Sequence, residues 1–272
     1  MKTIQAAIAA LALAGLSSGC IEDQTTVKLG KDGSGTVTEE IYFSPQATSM
    51  MEGMVAGMSG GAAPAAAPAP AADPLASFKS DIEKRAAGFG PGAKLVSQKA
   101  QSNAKGWKGY AITLRFDDVT KLQLSMGGGD EAGGPGGEKP RPMTIVFRKG
   151  PKPAVMFQTP PAPKAAPAPA AAAGPNLMPS EAMGPMLAGM RMALLVEVDG
   201  KIVRTNSRYP RGERRVALLD LPMDKVMANP QGAALIGSNA AQGPDSLRKL
   251  WNLNIDGVAI EDLERGVAIE WE

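Results

Sequence analysis

Hydrophobic and polar residues alternate through much of the chain with the period of two that marks half-buried strands. The clearest run is "GWKGYAITLRF" (106–116), with Tyr110, Ile112, Leu114 and Phe116 on one side and Ala111, Thr113 and Arg115 on the other. "QTTVKLGKDGSGTVTEEIYF" (24–43) reads as a hairpin, with Val27 and Leu29 on its first strand and Val37, Ile41 and Phe43 on its second. Between them "KDGSG" supplies Asp32-Gly33 and Gly35, suited to the positive φ angles of a tight turn. "MTIVFRKGPKPAVMF" (143–157) predicts two short strands about a Gly-Pro turn. "MRMALLVEVDGKIVRTNSRY" (190–209) predicts a hairpin across Asp199-Gly200, and "RRVALLDLP" (214–222) a further strand. "GVAIE" occurs at 257–261 and again at 266–270. That spacing is too short for a stacked repeat, so it predicts two strands of one hairpin about Arg265-Gly266.

Helical periodicity is rarer. "DPLASFKSDIEKRAAGFGPG" (73–92) opens with the start signal Asp73-Pro74, carries Leu75, Phe78, Ile82 and Phe89 on one face, and stops at Gly88 to Gly92. "MDKVMANP" (223–230) predicts a short helix ended by Asn229-Pro230, and "PDSLRKLW" (244–251) another. Three tracts carry neither period. "AAPAAAPAPAA" (62–72) and "PPAPKAAPAPAAAAGP" (160–175) are Ala/Pro linkers of extended character, and "GGGDEAGGPGG" (127–137) is a glycine-rich loop. The chain therefore divides into a leader (1–19), an N-terminal hairpin (20–48) and a Met-rich and Ala/Pro-rich insertion (49–72). A helix with antiparallel strands follows (73–158), then an Ala/Pro linker (159–179) and a closing segment (180–272) that completes the same unit. The expected fold class is α+β, a mostly antiparallel sheet built from hairpins with a few short helices packed on it.

The first residues have a different character. Met1-Lys2 is followed by an apolar run from Ile4 to Leu16 broken only by Gln5, then Ser17, Ser18, Gly19 and Cys20. At about 1.5 Å per residue the run makes roughly 20 Å of helix, short of the roughly 30 Å hydrocarbon core, so it predicts a removed signal peptide rather than a span. Cys20 is the only cysteine of 272 residues. Its place at the expected cut, after Leu16, Ser17, Ser18 and Gly19, resembles the lipobox of bacterial lipoproteins. In those proteins the cysteine thiol receives a diacylglyceryl group and becomes the first residue of the mature chain. The family prefers Leu, Val or Ile where Ser17 stands, with Leu16 one place further out.

Several stretches together resemble a group of bacterial lipoproteins whose shared domain has no assigned function. They are the "DGSGTV" hairpin, "AKLVSQKAQSNAKGWKGYAITLRFDDVTKLQL", "VEVDGKIVRTNSRY" and "ALLDLPMDKVMANP". Mycobacterial lipoprotein M and its relatives look like more distant kin, through the "DGSG" hairpin and the "GKIVRTN" turn. The resemblance implies acylation at Cys20, lipoprotein-processing enzymes as partners, and attachment to membrane lipid in the bacterial envelope. Ile21 is not the aspartate that often retains such proteins at the inner membrane, which implies an outer-membrane address facing the periplasm where the source has two membranes.

Composition removes several functions. The chain has no histidine, which excludes Ser-His-Asp and Cys-His catalysis and leaves a zinc site without its usual ligands. With 29 Lys+Arg against 27 Asp+Glu, it carries no electrostatic footprint for nucleic acid. No cofactor, metal site or catalytic residue is indicated, and the chain is expected not to be an enzyme. Asp117-Asp118 follow the cleanest strand and read as a strand end and turn cap rather than as a catalytic pair. Met50, Met51, Met54 and Met58, and Met183, Met186 and Met190, fall at helical spacing. They are either ordinary core filling or a soft apolar contact surface for a partner or acyl chain. Lys149, Lys152, Arg208, Arg211, Arg214 and Arg215 form two local basic clusters, read as solvated faces or as contacts for anionic envelope material. The leading expectation is a lipid-anchored, non-enzymatic envelope module that binds or scaffolds. The alternatives are a carrier of lipid or a small apolar ligand in a sheet concavity, and a carboxylate-based hydrolase.

Overall fold

The structure, a computed structural model, describes residues 21–49, 82, 85–124, 142–160, 187, 189–237 and 244–272. Their backbone is mostly antiparallel sheet with few short helices, an α+β architecture. Eleven strands run in chain order: β1 (Ile21–Leu29), β2 (Gly35–Phe43), β3 (Ala93–Ser102), β4 (Lys108–Phe116), β5 (Thr144–Arg148), β6 (Ala154–Gln158), β7 (Arg191–Val198), β8 (Ile202–Thr205), β9 (Arg215–Pro222), β10 (Ala259–Ile260) and β11 (Val267–Trp271). Three helices follow β9: α1 (Met223–Ala228), α2 (Pro230–Gly237) and α3 (Pro244–Leu253). The larger sheet has the order β10-β9-β7-β1-β2-β4-β3, and the smaller β5-β6-β11-β8.

Alternation along the strands decides which face is buried. On β1, β2 and β4 the inward set is Val27 and Leu29, Val37, Ile41 and Phe43, and Tyr110, Ile112, Leu114 and Phe116, in mutual register. The smaller sheet answers with Ile145, Val155, Phe157, Val267, Ile269 and Trp271 in one continuous apolar core. Phe116, Phe157 and Trp271 are among its largest fully buried side chains. The inner face of the larger sheet is thus filled by the smaller one rather than left as a hollow.

Gly33 has φ +89° and stacks against Phe147, as a positive-φ hairpin residue requires. Gly35 does not have positive φ, contrary to expectation. Its role is close approach, because a Cβ there would strike the Lys28 carbonyl and the Phe116 ring. Asp118 caps the short 3₁₀ turn Val119–Lys121, accepting from Thr120 N at 3.0 Å and Thr120 Oγ1 at 2.7 Å.

Two predicted hairpins are corrected. The strands flanking Asp199-Gly200 leave in different sheets: β7 pairs in parallel with β1 and antiparallel with β9, whereas β8 pairs with β11. The two "GVAIE" segments likewise part, β10 joining β9 in the larger sheet and β11 lying between β6 and β8 in the smaller. In the first case both edges of β7 are already filled, by β1 and β9, so β8 pairs with β11 instead. Two elements escaped prediction. Strand β3 carries a register shift between Leu95 and Ser97 that leaves Val96 56% exposed, so no alternation marks it. Asn229-Pro230, read as a stop, also starts α2: Asn229 Oδ1 accepts from Gln231 N and Gly232 N, both at 3.0 Å, with proline at the first helical place.

One carboxylate joins the sheets. Asp199 accepts from Lys31 N of the β1–β2 turn (3.2 Å) and from the Trp271 indole of β11 (2.9 Å). The Asp199→Ala variant, which leaves the buried indole N–H unpaired, is expected to lose about 1–3 kcal/mol in urea unfolding with an unchanged slope.

Candidate functional site

The described residues concentrate polar chemistry at one end of the larger sheet, where β1 begins. Ile21 lies opposite Phe43, Phe43 opposite Lys108, and Glu22 beside Arg191, so this end also holds the β3–β4 turn and the start of β7. On its inner face β1 presents Asp23 and β2 presents Glu39, diagonal neighbours because Asp23 faces Ile41 and Thr25 faces Glu39. Over them lies Arg85, from the helical turn 85–88 that ends at Gly90 (φ +97°). Arg85 Nη2 donates to Glu39 Oε1 at 2.7 Å and Nε to Oε2 at 3.2 Å. The same Nη2 is 3.9 Å from the Asp23 carboxylate.

One guanidinium therefore serves two carboxylates, and Glu39 holds the bidentate share. Burial first, and the neighbouring Glu39 second, push the Asp23 carboxyl up to about 7, against the opposing pull of Arg85.

The outer face carries a second knot. Glu22 meets Asn103 Nδ2 at 3.0 Å, Arg191 Nη1 at 3.4 Å and Lys105 Nζ at 3.6 Å. Arg191 also binds Asp220 in bidentate fashion (2.8 and 3.0 Å), and Arg211 reaches the same carboxylate at 3.2 Å. The Asp220 hydrogen bonds, which outweigh the cost of burial, raise the Arg191 pKa above its ordinary value. Next to this knot Glu40 accepts from Gln24 (3.2 Å), Tyr42 (3.2 Å) and Gln101 (3.0 Å). Burial, and then the Glu40 charge, push the Tyr42 hydroxyl up to about 12, so it stays a donor. Lys105 sits over the Trp107 ring at 4.7 Å.

These groups come from β1, β2, β3, β7, β9, the β3–β4 turn, the loop before β9 and the turn at Arg85. What the arrangement does chemically is hold β1. Asp23 and Glu39 converge, and one is displaced in pKa, as a carboxylate hydrolase would need. Both, however, are engaged by Arg85 rather than facing a substrate. Among the described residues no cluster of three or more metal-ligating side chains occurs, and no helix is long and apolar enough to cross a membrane.

The sequence candidates fall as follows. Cys20 and the preceding Leu16, Ser17, Ser18 and Gly19 lie outside the described residues, as do Met50, Met51, Met54, Met58, Met183 and Met186. Met190 is half-buried against the main core, and its carbonyl accepts from Met223 N at 2.8 Å. Of the basic residues, Arg215 pairs with Glu197 at 2.6 Å, Arg211 with Asp220, and Arg208 donates to Asn254 at 3.1 Å. Lys149 and Lys152 stand exposed in the β5–β6 turn. The residues that sequence reasoning missed are Glu22, Asp23, Glu39, Arg85, Arg191 and Asp220. One signal was present: Glu39 occupies an inward place between Val37 and Ile41, where alternation calls for an apolar residue.

Because the folded pKa of Asp23 lies above its unfolded value, its contribution to stability is complete below about pH 4 and is lost as pH rises to about 7. Unfolding free energy is expected to fall by about 2–3 kcal/mol between pH 5 and pH 8 on this account, at 1.36 kcal/mol per pKa unit. Asp23→Asn flattens that slope, read by denaturant titration across the range. Arg85→Met, which strands two carboxylates at this site, is expected to cost about 3–5 kcal/mol.

No family model matches the chain, and no curated protein matches it. Among solved structures, the NMR structure of the folded domain of the LppM protein of Mycobacterium tuberculosis is similar at a TM-score of 0.30 and 8% sequence identity. The match covers 74% of this chain and 81% of that chain. A likeness at that level carries no argument about activity or ligand.

Proposed function

We propose that this chain is a lipid-anchored cell-envelope protein, held at the membrane surface through acylated Cys20 and acting there as a non-enzymatic binding or scaffolding module. The observation that carries the reading is the position of β1. Ile21, the residue after Cys20, is already in register with Phe43, and Glu22 is paired on both sides, with Tyr42 and Arg191. No stalk separates the acylated residue from the sheet. A tether there holds the sheet by its central region, and the polar knots on both faces clamp the strand that bears it.

Two or three acyl chains, at about 0.8 kcal/mol per buried CH₂, would make release negligible. The address that follows is the bacterial envelope, at the outer membrane and facing the periplasm where there are two membranes. The first partners are membrane lipid and the enzymes that process lipoproteins. The carrier alternative draws no support from the packing, since Phe157, Ile269 and Trp271 fill the face that a ligand would need.

Cys20→Ala is expected to give a protein that folds but leaves the membrane fraction; a variant that stays with the membranes would refute the anchor. Orientation is a second readout. Strand β1 rises about 3.3 Å per residue, so the β3–β4 turn and the β1–β2 turn lie about 25–30 Å apart along it. A fluorophore at position 105 is expected to be quenched by headgroup-located quenchers in vesicles, and one at position 31 is not. Equal quenching would mean that the sheet lies flat.

A further inference from the structure

One hairpin stands apart in composition. Residues 93–116, which form β3, its turn and β4, carry Lys94, Lys99, Lys105, Lys108 and Arg115 and not one acidic residue. The near balance of charge over the whole chain hides this cationic side of the larger sheet. Strand β3 is also an open edge: it ends the sheet and, among the described residues, pairs only with β4. At ten residues it is the longest of the four sheet edges, the others being β10, β5 and β8 of two, five and four residues. We infer that this edge is a docking surface for an extended acidic segment of a partner protein, which adds to the sheet as a strand beyond β3.

Three properties of the edge select that partner. The first is the backbone. In an antiparallel edge strand every second residue turns its N–H and C=O away from the sheet, and only another extended chain pairs a whole row of them. The second is charge. Lys94 and Lys99 are exposed and make no ion pair among the described residues, whereas Arg115 is paired with Asp117 at 3.8 Å and Lys105 with Glu22 at 3.6 Å. Lys94 lies opposite Arg115 and Lys99 opposite Ala111, on the face turned away from the smaller sheet. The two lysines share that face because the register shift between Leu95 and Ser97 takes up one residue of their spacing. The third is apolar contact. Leu95 (41% exposed) and Val96 (56%) are two of the four exposed large hydrophobic side chains among the described residues.

The same lysines argue against a second copy of the chain. Two β3 edges laid together would bring unpaired ammonium groups and no carboxylate to the joint, and edge lysines ordinarily keep copies apart in this way. An acidic strand meets attraction where a copy meets repulsion. A bilayer offers anionic headgroups but no backbone to pair, so it would answer the charge alone. Strands β2 and β4 lie between this edge and β1, and nothing in the inference depends on how Cys20 is anchored.

The test uses the full-length chain in detergent micelles, ¹⁵N-labelled, titrated with a capped nine-residue peptide alternating glutamate and valine. Saturable shifts of the backbone amide signals of β3, with those of β11 unmoved and a dissociation constant below about 1 mM, are expected. The same peptide N-methylated at alternate residues keeps its charge but loses the donors of one edge, and is expected to bind at least about tenfold more weakly. Lys94→Glu combined with Lys99→Glu, both at exposed positions, is expected to weaken the acidic peptide about tenfold and to bind the lysine–valine counterpart in its place, with an unchanged circular dichroism spectrum. No saturable shift at β3, equal affinity for the N-methylated peptide, or the same shifts with linear polyphosphate or phosphatidylglycerol vesicles in place of the peptide would overturn the assignment. So would movement of the β3 signals with protein concentration alone, the mark of a second copy.

Discussion

Strand β1 is the constraint on which the rest depends. It is bonded along its length to β2 on one side and, in parallel, to β7 on the other. Every other strand of the larger sheet is registered on β1 through these two. A one-residue slip of β1 would turn Val27 and Leu29 outward and bring Lys28 into the core, so the apolar pattern fixes its register strongly. The parallel pairing is also what separates β7 from β8. A strand that runs parallel to β1 and antiparallel to β9 has both edges filled, so its sequence neighbour β8 must pair elsewhere, and β11 of the smaller sheet is the edge it takes.

Polar residues at the start of β1 add a second, different kind of constraint. Buried ion pairs are poor sources of net stability, because desolvation offsets most of their attraction, yet breaking one by removing a single partner is costly. The Arg85–Glu39 pair has that character. By that rule it contributes little over an apolar replacement, while it fastens the segment that carries Arg85 to β2 through two hydrogen bonds. Asp23 is the cost of the arrangement, a carboxylate left with the weaker share of a guanidinium in a desolvated place. On the outer face the Glu22–Arg191–Asp220 chain performs the matching task across three strands that meet only in the folded state. Glu22 and Arg191 are 169 residues apart, so this contact is closed only once the parallel pairing of β1 and β7 has formed.

Local pattern made most of the strands legible, and topology much less so. Alternation located β1, β2, β4, β5 and β6, whereas β7 and β9, buried on both faces along most of their length, were marked by continuous apolar runs. The pattern failed at β3, whose register shift exposes Val96, and it located β8, β10 and β11 as strands but gave them the wrong partners. The turns beside those strands have the residues of hairpins, Asp199-Gly200 and Arg265-Gly266, yet they serve as crossings between sheets. Gly200 and Gly266 show why the two cannot be told apart in sequence. Gly266 has positive φ, as a hairpin residue would, whereas Gly200 is small because the backbone carbonyl of Glu272 passes against it. Both demands are met by the same amino acid.

The candidate site was harder to read, for a reason that lies in the charges themselves. The chain's near balance of acidic and basic residues looked like a featureless solvated surface, and the notable ones are in fact consumed pairwise: Arg85 with Glu39, Arg191 with Asp220, Arg215 with Glu197, Arg248 with Glu264. Basic clusters in sequence such as Arg214 and Arg215 separate on alternate faces of a strand or its entry, and each finds its own acceptor: Arg214 the Val198 carbonyl, Arg215 the Glu197 carboxylate. A charge at an inward place of an alternating run is the exception that sequence does display at Glu39, and Asp220 is the corresponding charge within the continuous apolar run of β9. Each marks a place where a strand must present a partner to a particular arginine, so the informative question in such a run is which distant cation the fold must bring to it.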